Sequence, residues 1–273
     1  MKAVRGWKLG GRGLLACATV LAGAVAAAPP PAPPAAPPSA TTSAARPEAA
    51  FPQGHYAALD ALPDWGGVWT LNFAPPAPGS APPGPDLKGQ YLKDHEAWLE
   101  EVRATGGQVA RHASYCRPPG MPGIMGVPQY PIEFLFTPGR VTLHHEAWMQ
   151  WRTIYTDGRG HPDDWDPTFY GHSIGHWEGG TLVVDTVGIK DSVDMAMGVK
   201  HSPQLHVVER FHLAAGDPDT LVVETTLEDP LALNQPWRTT RSYARARAGE
   251  LLEFICEEND RNPVDASGKT GFE

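Results

Sequence analysis

From residue 67 onward, most of the chain alternates between hydrophobic and polar residues, and Gly-, Pro- or Asp-rich turns separate the alternating segments. Alternation with a period of two residues predicts β-strands that bury one face. The predicted strands cover residues 67–73, 131–136, 141–156, 173–177, 181–187, 205–213, 221–227, 237–246 and 251–256. Most are joined to the next strand by a short turn, which favours an antiparallel meander over a parallel sheet.

One segment has helical periodicity instead. Asp86 is of a residue type that caps helix N-termini, and Gly106 with Gly107 ends the segment. Between these limits, apolar or ring-bearing residues recur every three or four positions, at Leu87, Tyr91, His95, Leu99 and Val102. This spacing predicts a helix over about residues 87–105 that docks on the sheet by one face.

Nine strands in a flat sheet would leave two exposed edges, and closing the sheet into a barrel removes both. The predicted fold is therefore mainly β, an antiparallel meander closed into a β-barrel with one helical insert. A barrel of about eight to ten strands encloses room for core side chains or for one small ligand. Six aromatic residues are candidates for its lining: Trp148, Trp151, Tyr155, Trp177, Trp237 and Phe254.

Two sets of motifs carry a resemblance to known proteins. The segment D-W-G-G-V-W, residues 64–69, resembles the Gly-x-Trp signature at the first strand of lipocalin-type barrels. Four further motifs, which begin at residues 155, 171, 181 and 205, are Y-x-D-G-R-x-H-P, G-H-S-I-G-x-W-E-G, T-L-V-V-D-T and L-H-V-V-E-R-F. Together they resemble a largely uncharacterised family of exported bacterial β-rich proteins over residues 115–262. The resemblances imply export and a lipocalin-like barrel.

The first 54 residues have a different character. Four basic residues within positions 1–12 precede the apolar run 14–28, which ends in small residues as secretory signal peptides do. The run is shorter than the roughly 20 residues that a membrane-spanning helix needs. We predict a signal peptide over residues 1–28, a Pro- and Ala-rich disordered linker over 29–54, a single domain over 55–262 and a flexible tail over 263–273. The mature protein is then periplasmic or secreted, with lipidation at Cys17 left open.

Export changes how the cysteines and the charges are interpreted. Cys116 and Cys256 remain in the mature chain, and two cysteines in an oxidising compartment predict one disulfide, with two separate buried thiols as the alternative. Loss of the leader leaves 18 Lys and Arg against 31 Asp and Glu residues. Such an acidic chain lacks the basic surface that nucleic acids require, and no membrane contact is expected after cleavage.

Two motifs suggest hydrolytic or metal chemistry. Residues 171–175 match G-x-S-x-G, but a hairpin rather than a helix follows, which disfavours a nucleophile elbow. A triad of Ser173, Asp185 and His206 stays open, because these residues follow in Ser-Asp-His order. The chain contains 11 histidines, and His172 and His176 are four residues apart. On a strand, four residues span about 13 Å, so these two side chains are too far apart to bind one zinc ion. No cofactor is predicted, although a mixed metal site that includes His161, His172 and His206 stays open.

The favoured constellation combines a polar loop, residues 157–164, with charged residues on predicted strands. We predict His172 and His206 as proton-transfer groups, Asp185 as the carboxylate that orients a histidine, and Arg152 as the group that holds an anion. Substrate contacts are predicted for Tyr155, Asp157, Arg159, His161, Arg210, Trp148 and Trp177.

These assignments predict an exported, cofactor-independent enzyme: a lyase, isomerase or hydrolase that acts on a small, partly aromatic compound in a barrel pocket. The alternative is a lipocalin-like carrier of a hydrophobic ligand, and a metal-dependent or serine hydrolase is the third option. The enzyme and the carrier are distinguished by whether His172, His206, Arg152 and Asp185 converge within hydrogen-bond reach in one concave pocket, and by whether any of them has a shifted pKa. His206 and Arg210 share one face of their strand. If that face is the barrel interior, they provide a proton donor and an anion-binding group; if it is the solvent side, they are an ordinary charged surface.

Overall fold

The structure is a computed structural model that describes residues 59–73, 84–107 and 116–256. The predicted signal peptide, Cys17, the linker over 29–54 and the tail over 263–273 lie outside the described residues.

Nine strands form a closed barrel in sequence order, with the last strand paired to the first. They are β1 (Val68–Leu71), β2 (Ile132–Thr137), β3 (Arg140–His145), β4 (Gln150–Tyr155), β5 (His172–Glu178), β6 (Thr181–Val187), β7 (His206–Ala214), β8 (Asp217–Glu228) and β9 (Trp237–Ala246). The described part of the chain contains a single α-helix, α1 (Gly89–Ala104). The prediction of a mainly β, closed barrel with one helical insert is confirmed.

One pair of strands departs from the predicted antiparallel meander. β4 and β5 run parallel, with Ile154 opposite Ser173 and Tyr155 opposite Ile174, whereas every other neighbouring pair in the barrel is antiparallel. A parallel pair cannot be joined by a tight hairpin, because the chain must return to the end at which the first strand began. Residues 156–171 make this return, and they carry His161.

The predicted strand over residues 141–156 was wrong as one element. A short 3₁₀ turn, Ala147–Met149, separates β3 from β4, and Trp148 and Met149 there have φ values of 57° and 48°. The predicted last strand over 251–256 was also wrong, because residues 251–255 adopt no strand and β9 pairs with β1 instead. The two errors cancel in the strand count.

The helix begins later than predicted. Its N-cap residue is Lys88, whose side chain makes no capping hydrogen bond, and Asp86 instead accepts a 2.8 Å hydrogen bond from the Asn234 side-chain amide. Leu87, the first residue of the predicted apolar face, is buried but precedes α1. The other four residues of that face are half-buried, and no residue of α1 is fully buried. His95 Nδ1 lies 3.0 Å from the carbonyl oxygen of Gly198, so the helix contacts the segment between β6 and β7.

The barrel interior has an apolar and a polar region. In the apolar region, Trp65 packs against an aromatic cluster, with ring centroids 5.0 Å from Phe134 and 5.4 Å from Trp177. Toward the other end of the same strands, the interior contains the buried Arg152 instead of aromatic residues. A loop covers this polar region. In the polar region, Tyr243 donates a 2.5 Å hydrogen bond to the carbonyl of Met125.

The disulfide between Cys116 and Cys256 is present, which confirms the predicted pairing. The two cysteines are 140 residues apart in sequence, and a loop of that length corresponds to about 5 kcal/mol of stabilisation in the chain-entropy treatment. Across the described ranges, no helix is both long enough and apolar enough to span a bilayer.

Candidate functional site

Three histidines and one aspartate meet on the outer wall of the barrel, and we call this group the histidine cluster: His161, His172, Asp185 and His206. β6 lies between β5 and β7, and Asp185 of β6 points outward between the other two strands. Asp185 Oδ1 is 3.1 Å from His161 Nε2 and 2.8 Å from His206 Nε2. One carboxylate oxygen therefore joins a loop histidine to a strand histidine.

The hydrogen bonds assign the protons within the cluster. An ionised carboxylate only accepts, so the Nε2–H groups of His161 and His206 both donate to Asp185. When His161 is neutral, its Nδ1 has a lone pair, and this atom lies 2.8 Å from His172 Nδ1. In that state His172 donates from Nδ1, which leaves the lone pair of its Nε2 free. Among the described residues, His172 Nε2 has no hydrogen-bond partner.

Burial and neighbouring positive charge favour the unprotonated form of His172. Burial lowers the pKa of the His172 imidazole, and the nearby His161 and Arg159 lower it further. His172 is the most buried histidine of the cluster, whereas the Asp185 side chain is 41% exposed. The cluster thus extends from a shielded base to a carboxylate in contact with water.

His206 has a second carboxylate partner that sequence reasoning missed. Glu228 lies opposite His206 in the β7–β8 register, and its Oε2 is 3.5 Å from His206 Nδ1. When His206 is protonated, each of its ring N–H groups therefore faces a carboxylate. Glu228 lies one residue beyond the predicted strand over 221–227, so the alternation that reveals its outward face was cut short.

An exposed tryptophan borders the shielded base. The Trp165 ring meets the His172 ring edge-on, with centroids 4.8 Å apart, and Trp165 is 39% exposed. Gly188 has φ of +68°, and a Cβ added there would lie 2.6 Å from Cδ1 of Trp165. A glycine is therefore needed at position 188 for the indole to occupy this place. Sequence reasoning passed over Trp165, although it lies just beyond the polar loop.

Tyr155 at the end of β4, and Asp157 and Arg159 of the polar loop, all have predicted substrate contacts and adjoin the same site. Tyr155 stacks on His172 at 5.4 Å between ring centroids. The Arg159 guanidinium lies over the Tyr155 ring at 4.0 Å, and it pairs with Asp157 at 2.5 Å. These contacts hold the loop against the wall beside the histidine cluster.

Arg152 is not part of the cluster, which corrects its predicted place beside His172. It lies inside the barrel, where Nη2 donates to Glu209 Oε2 at 2.5 Å and to Thr186 Oγ1 at 2.9 Å. Its Nε donates to Ser173 Oγ at 3.2 Å. We call Arg152, Ser173, Thr186 and Glu209 the arginine network. The side chains of Arg152 and Glu209 are 1% and 0% exposed, so the ion pair is shielded from solvent.

Several buried polar atoms near the arginine network lack a hydrogen-bond partner among the described residues: Arg152 Nη1, Glu209 Oε1, His145 Nε2 and Tyr170 Oη. Burial lowers the pKa of His145 to about 3, with smaller contributions from Arg152 and His144. Burial also raises the pKa of Tyr170. This region keeps His145 and Tyr170 in their neutral forms.

The other predicted contacts lie elsewhere. Trp177 belongs to the aromatic core with Trp65, and the Trp148 ring packs 5.5 Å from Phe254 beside the 3₁₀ turn. Arg210 and His206 face outward, because the buried residues of β7 are Val207, Glu209 and Phe211. Of the two orientations left open by the sequence, the outward one is therefore observed.

The serine and metal hypotheses gain no support from the geometry. Ser173 is buried and contacts Arg152 and Thr186, while Asp185 and His206 lie on the opposite face of the wall, so the three do not form a triad. G-x-S-x-G marks the entry into β5 rather than a strand-to-helix turn. Within residues 59–73, 84–107 and 116–256, no group of three or more His, Cys, Asp or Glu residues is arranged to hold a metal ion.

The functional assignment rests on this geometry. The chain matches no protein-family model, and no curated protein is significantly similar to it.

Proposed function

We propose that this protein is an exported, cofactor-independent enzyme that transfers protons on a small, partly aromatic compound, as a lyase, isomerase or hydrolase. The histidine cluster is its active site, on the outer wall of the barrel rather than within the barrel pocket. One observation carries the proposal: Asp185 Oδ1 is shared by His161 and His206, while His161 also contacts His172.

His172 is the general base. Its free Nε2 lone pair is directed by the hydrogen bond at Nδ1, and its lowered pKa keeps it unprotonated near neutral pH. When Nε2 takes a proton from the substrate, the Nδ1 proton can pass to His161, whose other nitrogen is bound to Asp185. The positive charge then lies next to a carboxylate instead of remaining on the buried ring.

His206 is the general acid. Asp185 and Glu228 accept from its two nitrogens, so the protonated ring is held in one orientation between two carboxylates. A base and an acid on either side of Asp185 are the arrangement that elimination, isomerisation and hydrolysis require.

Aromatic side chains define where the substrate lies. Trp165 is partly exposed and borders His172 edge-on, so an aromatic ring stacked on the indole places an adjacent C–H or O–H group near Nε2 of His172. Such aromatic contacts contribute about 0.5–1.5 kcal/mol beyond surface burial.

The interior of the barrel supports the enzyme more than the hydrophobic carrier. One region is filled by the Trp65 cluster, and the other contains the Arg152–Glu209 ion pair. A hydrophobic ligand next to that ion pair would bury unpartnered polar atoms without compensating them.

The disulfide supports export to the periplasm or the exterior, because such bonds persist in oxidising compartments. N-terminal sequencing of protein isolated from the periplasm or medium should find a start close to residue 29. Retention of residues 1–28 in a cytoplasmic protein would contradict export.

The enzymatic proposal is tested by a conversion screen. Purified mature protein is incubated with a panel of aromatic esters, lactones and hydroxy acids, and products are detected by mass spectrometry. We expect conversion by the wild type and loss of conversion in His172→Gln and His206→Gln. The matched control is His176→Gln, which changes an exposed β5 histidine outside the cluster.

A second measurement needs no substrate. NMR titration of the histidine side chains should show a pKa for His172 below the ordinary histidine value of about 6.5, because the His172 ring is buried. Absence of conversion across the panel, or equal loss of conversion in His176→Gln, would overturn the proposal.

A further inference from the structure

A polar groove lies on the outer wall beside the histidine cluster. It runs over β7, β8 and β9 and has a volume of about 300 Å³, which is the size of a site for one small molecule. The outward side chains that line it are Val208, Arg210, Glu224, Thr226, Arg238 and Thr240.

The strand register makes this groove continuous with the cluster. Asp185 is opposite Val208, Val208 is opposite Thr226, and Thr226 is opposite Arg238. Directly opposite residues project to the same face of a sheet, so this row runs from the cluster carboxylate to the far side of the groove. Neighbouring strands are about 4.8 Å apart, and a small molecule in the groove therefore extends to within reach of His206.

Two opposite charges in the groove are not neutralised. Arg210 is directly opposite Glu224 in the register, yet its guanidinium donates to Glu178 at 2.8 Å instead. Arg238 and Glu224 form no ion pair or hydrogen bond with any residue in the described ranges. Both are exposed and lie diagonally across β8 and β9. The groove thus offers one free cation and one free anion on adjacent strands.

We infer that the groove binds a small carboxylate that carries a neighbouring hydroxyl or amino group, and that this molecule is the substrate of the histidine cluster. This inference rests on the proposed function and names its substrate class. The planar guanidinium of Arg238 matches a carboxylate with two parallel hydrogen bonds. The Glu224 carboxylate can only accept, so it requires a donor on the same ligand.

Other ligand classes fit the groove less well. A simple anion without a donor would face repulsion from Glu224, and a hydrophobic ligand would cover both charges without pairing them. The hydroxyls of Thr226 and Thr240 lie between the two charges and can donate or accept. A hydroxy acid or an amino acid with an aromatic substituent pairs with both charges, and its substituent can extend along the row toward Asp185 and His206.

Binding is tested on the mature protein by saturation-transfer NMR and calorimetry. The probes are 3-phenyllactate and phenylalanine, with 3-phenylpropionate lacking the donor and 3-phenylpropanamide lacking the charge. At least one of the first two should bind more tightly than both comparison compounds. Arg238→Gln should weaken that binding about tenfold, as expected for loss of a charge-assisted hydrogen bond. Glu224→Gln should abolish the preference over 3-phenylpropionate.

The matched control is Arg140→Gln, which removes the same charge from the exposed start of β3. Equal weakening by Arg140→Gln and Arg238→Gln, or no preference for the carboxylates over the amide, would overturn the inference.

His172→Gln separates the two proposals, because it should abolish conversion and leave binding intact. If conversion depends on His172 but Arg238→Gln has the same KM as the wild type, the inference about the groove is overturned and the enzymatic proposal is not. Binding that depends on Arg238 with no conversion of any compound overturns only the enzymatic proposal.

Discussion

The histidine cluster and the arginine network occupy opposite faces of the same strands. His172 and Ser173 are neighbours in β5, and Asp185 and Thr186 are neighbours in β6, yet one member of each pair lies on the outer face of the wall and the other faces the core. Inside, the Arg152–Glu209 pair is closed to solvent and its charges are mutually neutralised. Outside, the carboxylate is partly hydrated and its partners are groups that exchange protons. Polar residues in a strand therefore support stability or chemistry according to the face on which they lie.

The largest expected effect follows from breaking the inner ion pair. Arg152→Met leaves the Glu209 carboxylate buried without its cation, and removal of one partner from such a pair costs about 3–5 kcal/mol of unfolding free energy. Urea denaturation measures the change. The double variant Arg152→Met with Glu209→Leu should recover most of the loss, because no buried charge remains.

Arg159→Met provides the exposed counterpart, because Arg159 pairs with Asp157 in contact with solvent. It should leave the denaturation midpoint nearly unchanged. If Arg152→Met were as mild as Arg159→Met, the contrast between the two faces would be lost.

His172→Gln should have the reverse profile. Loss of a general base lowers turnover by about 10²–10⁴-fold, whereas the unfolding free energy should change far less than in Arg152→Met. Conversion of the compound identified in the screen and urea denaturation are measured on the same preparation. A stability loss comparable to that of Arg152→Met would place His172 among the structural residues instead.

The inner region also predicts an acid sensitivity of folding. His145 is neutral in the folded protein because burial lowers its pKa to about 3, whereas in the unfolded chain a histidine titrates at about 6.5. Between these values the unfolded state binds the extra proton, so stability falls as pH falls, by about 1.4 kcal/mol per pH unit for this group.

Urea denaturation between pH 6.5 and pH 4.5 measures this slope. The His145→Gln variant should take up about one proton fewer on unfolding, so its slope should be smaller. The His176→Gln variant should have the same slope as the wild type. An unchanged slope in His145→Gln would show that His145 is accessible to protons in the folded state.

The smallest expected effect concerns the aromatic border of the outer site. Trp165→Ala removes the surface against which the substrate ring is proposed to stack, and we expect KM to rise about tenfold with kcat changed little. Steady-state kinetics with the compound found in the screen provide the measurement. A fall in kcat at constant KM would instead assign Trp165 to the positioning of His172.

Most of the strand pattern was predicted from local sequence, because alternation and turn residues are visible along the chain. The disulfide was predicted from the two cysteines that remain after export, and barrel closure from the number of strands. The turn at Trp148 and Met149 was not predicted, since these non-glycine residues adopt positive φ without a local turn signal. Because that turn was not predicted, the start of β4 was not predicted either. The sequence therefore did not show that Arg152 faces the barrel interior while His172 lies on the outer face. Among the site residues, His161, His172, Asp185 and His206 were all selected from motifs, whereas Glu228 and Trp165 lay just beyond the segments considered.

Sequence alone determined which residues alternate along each strand, because side-chain direction in a strand has a period of two. Only the tertiary structure decided which half of each alternation faces the core, because that choice depends on barrel closure and on the register of all nine strands together. For this reason His206 and Arg210 were known in advance to share a face, but the outward direction of that face came from packing Val207, Glu209 and Phe211 inside the barrel.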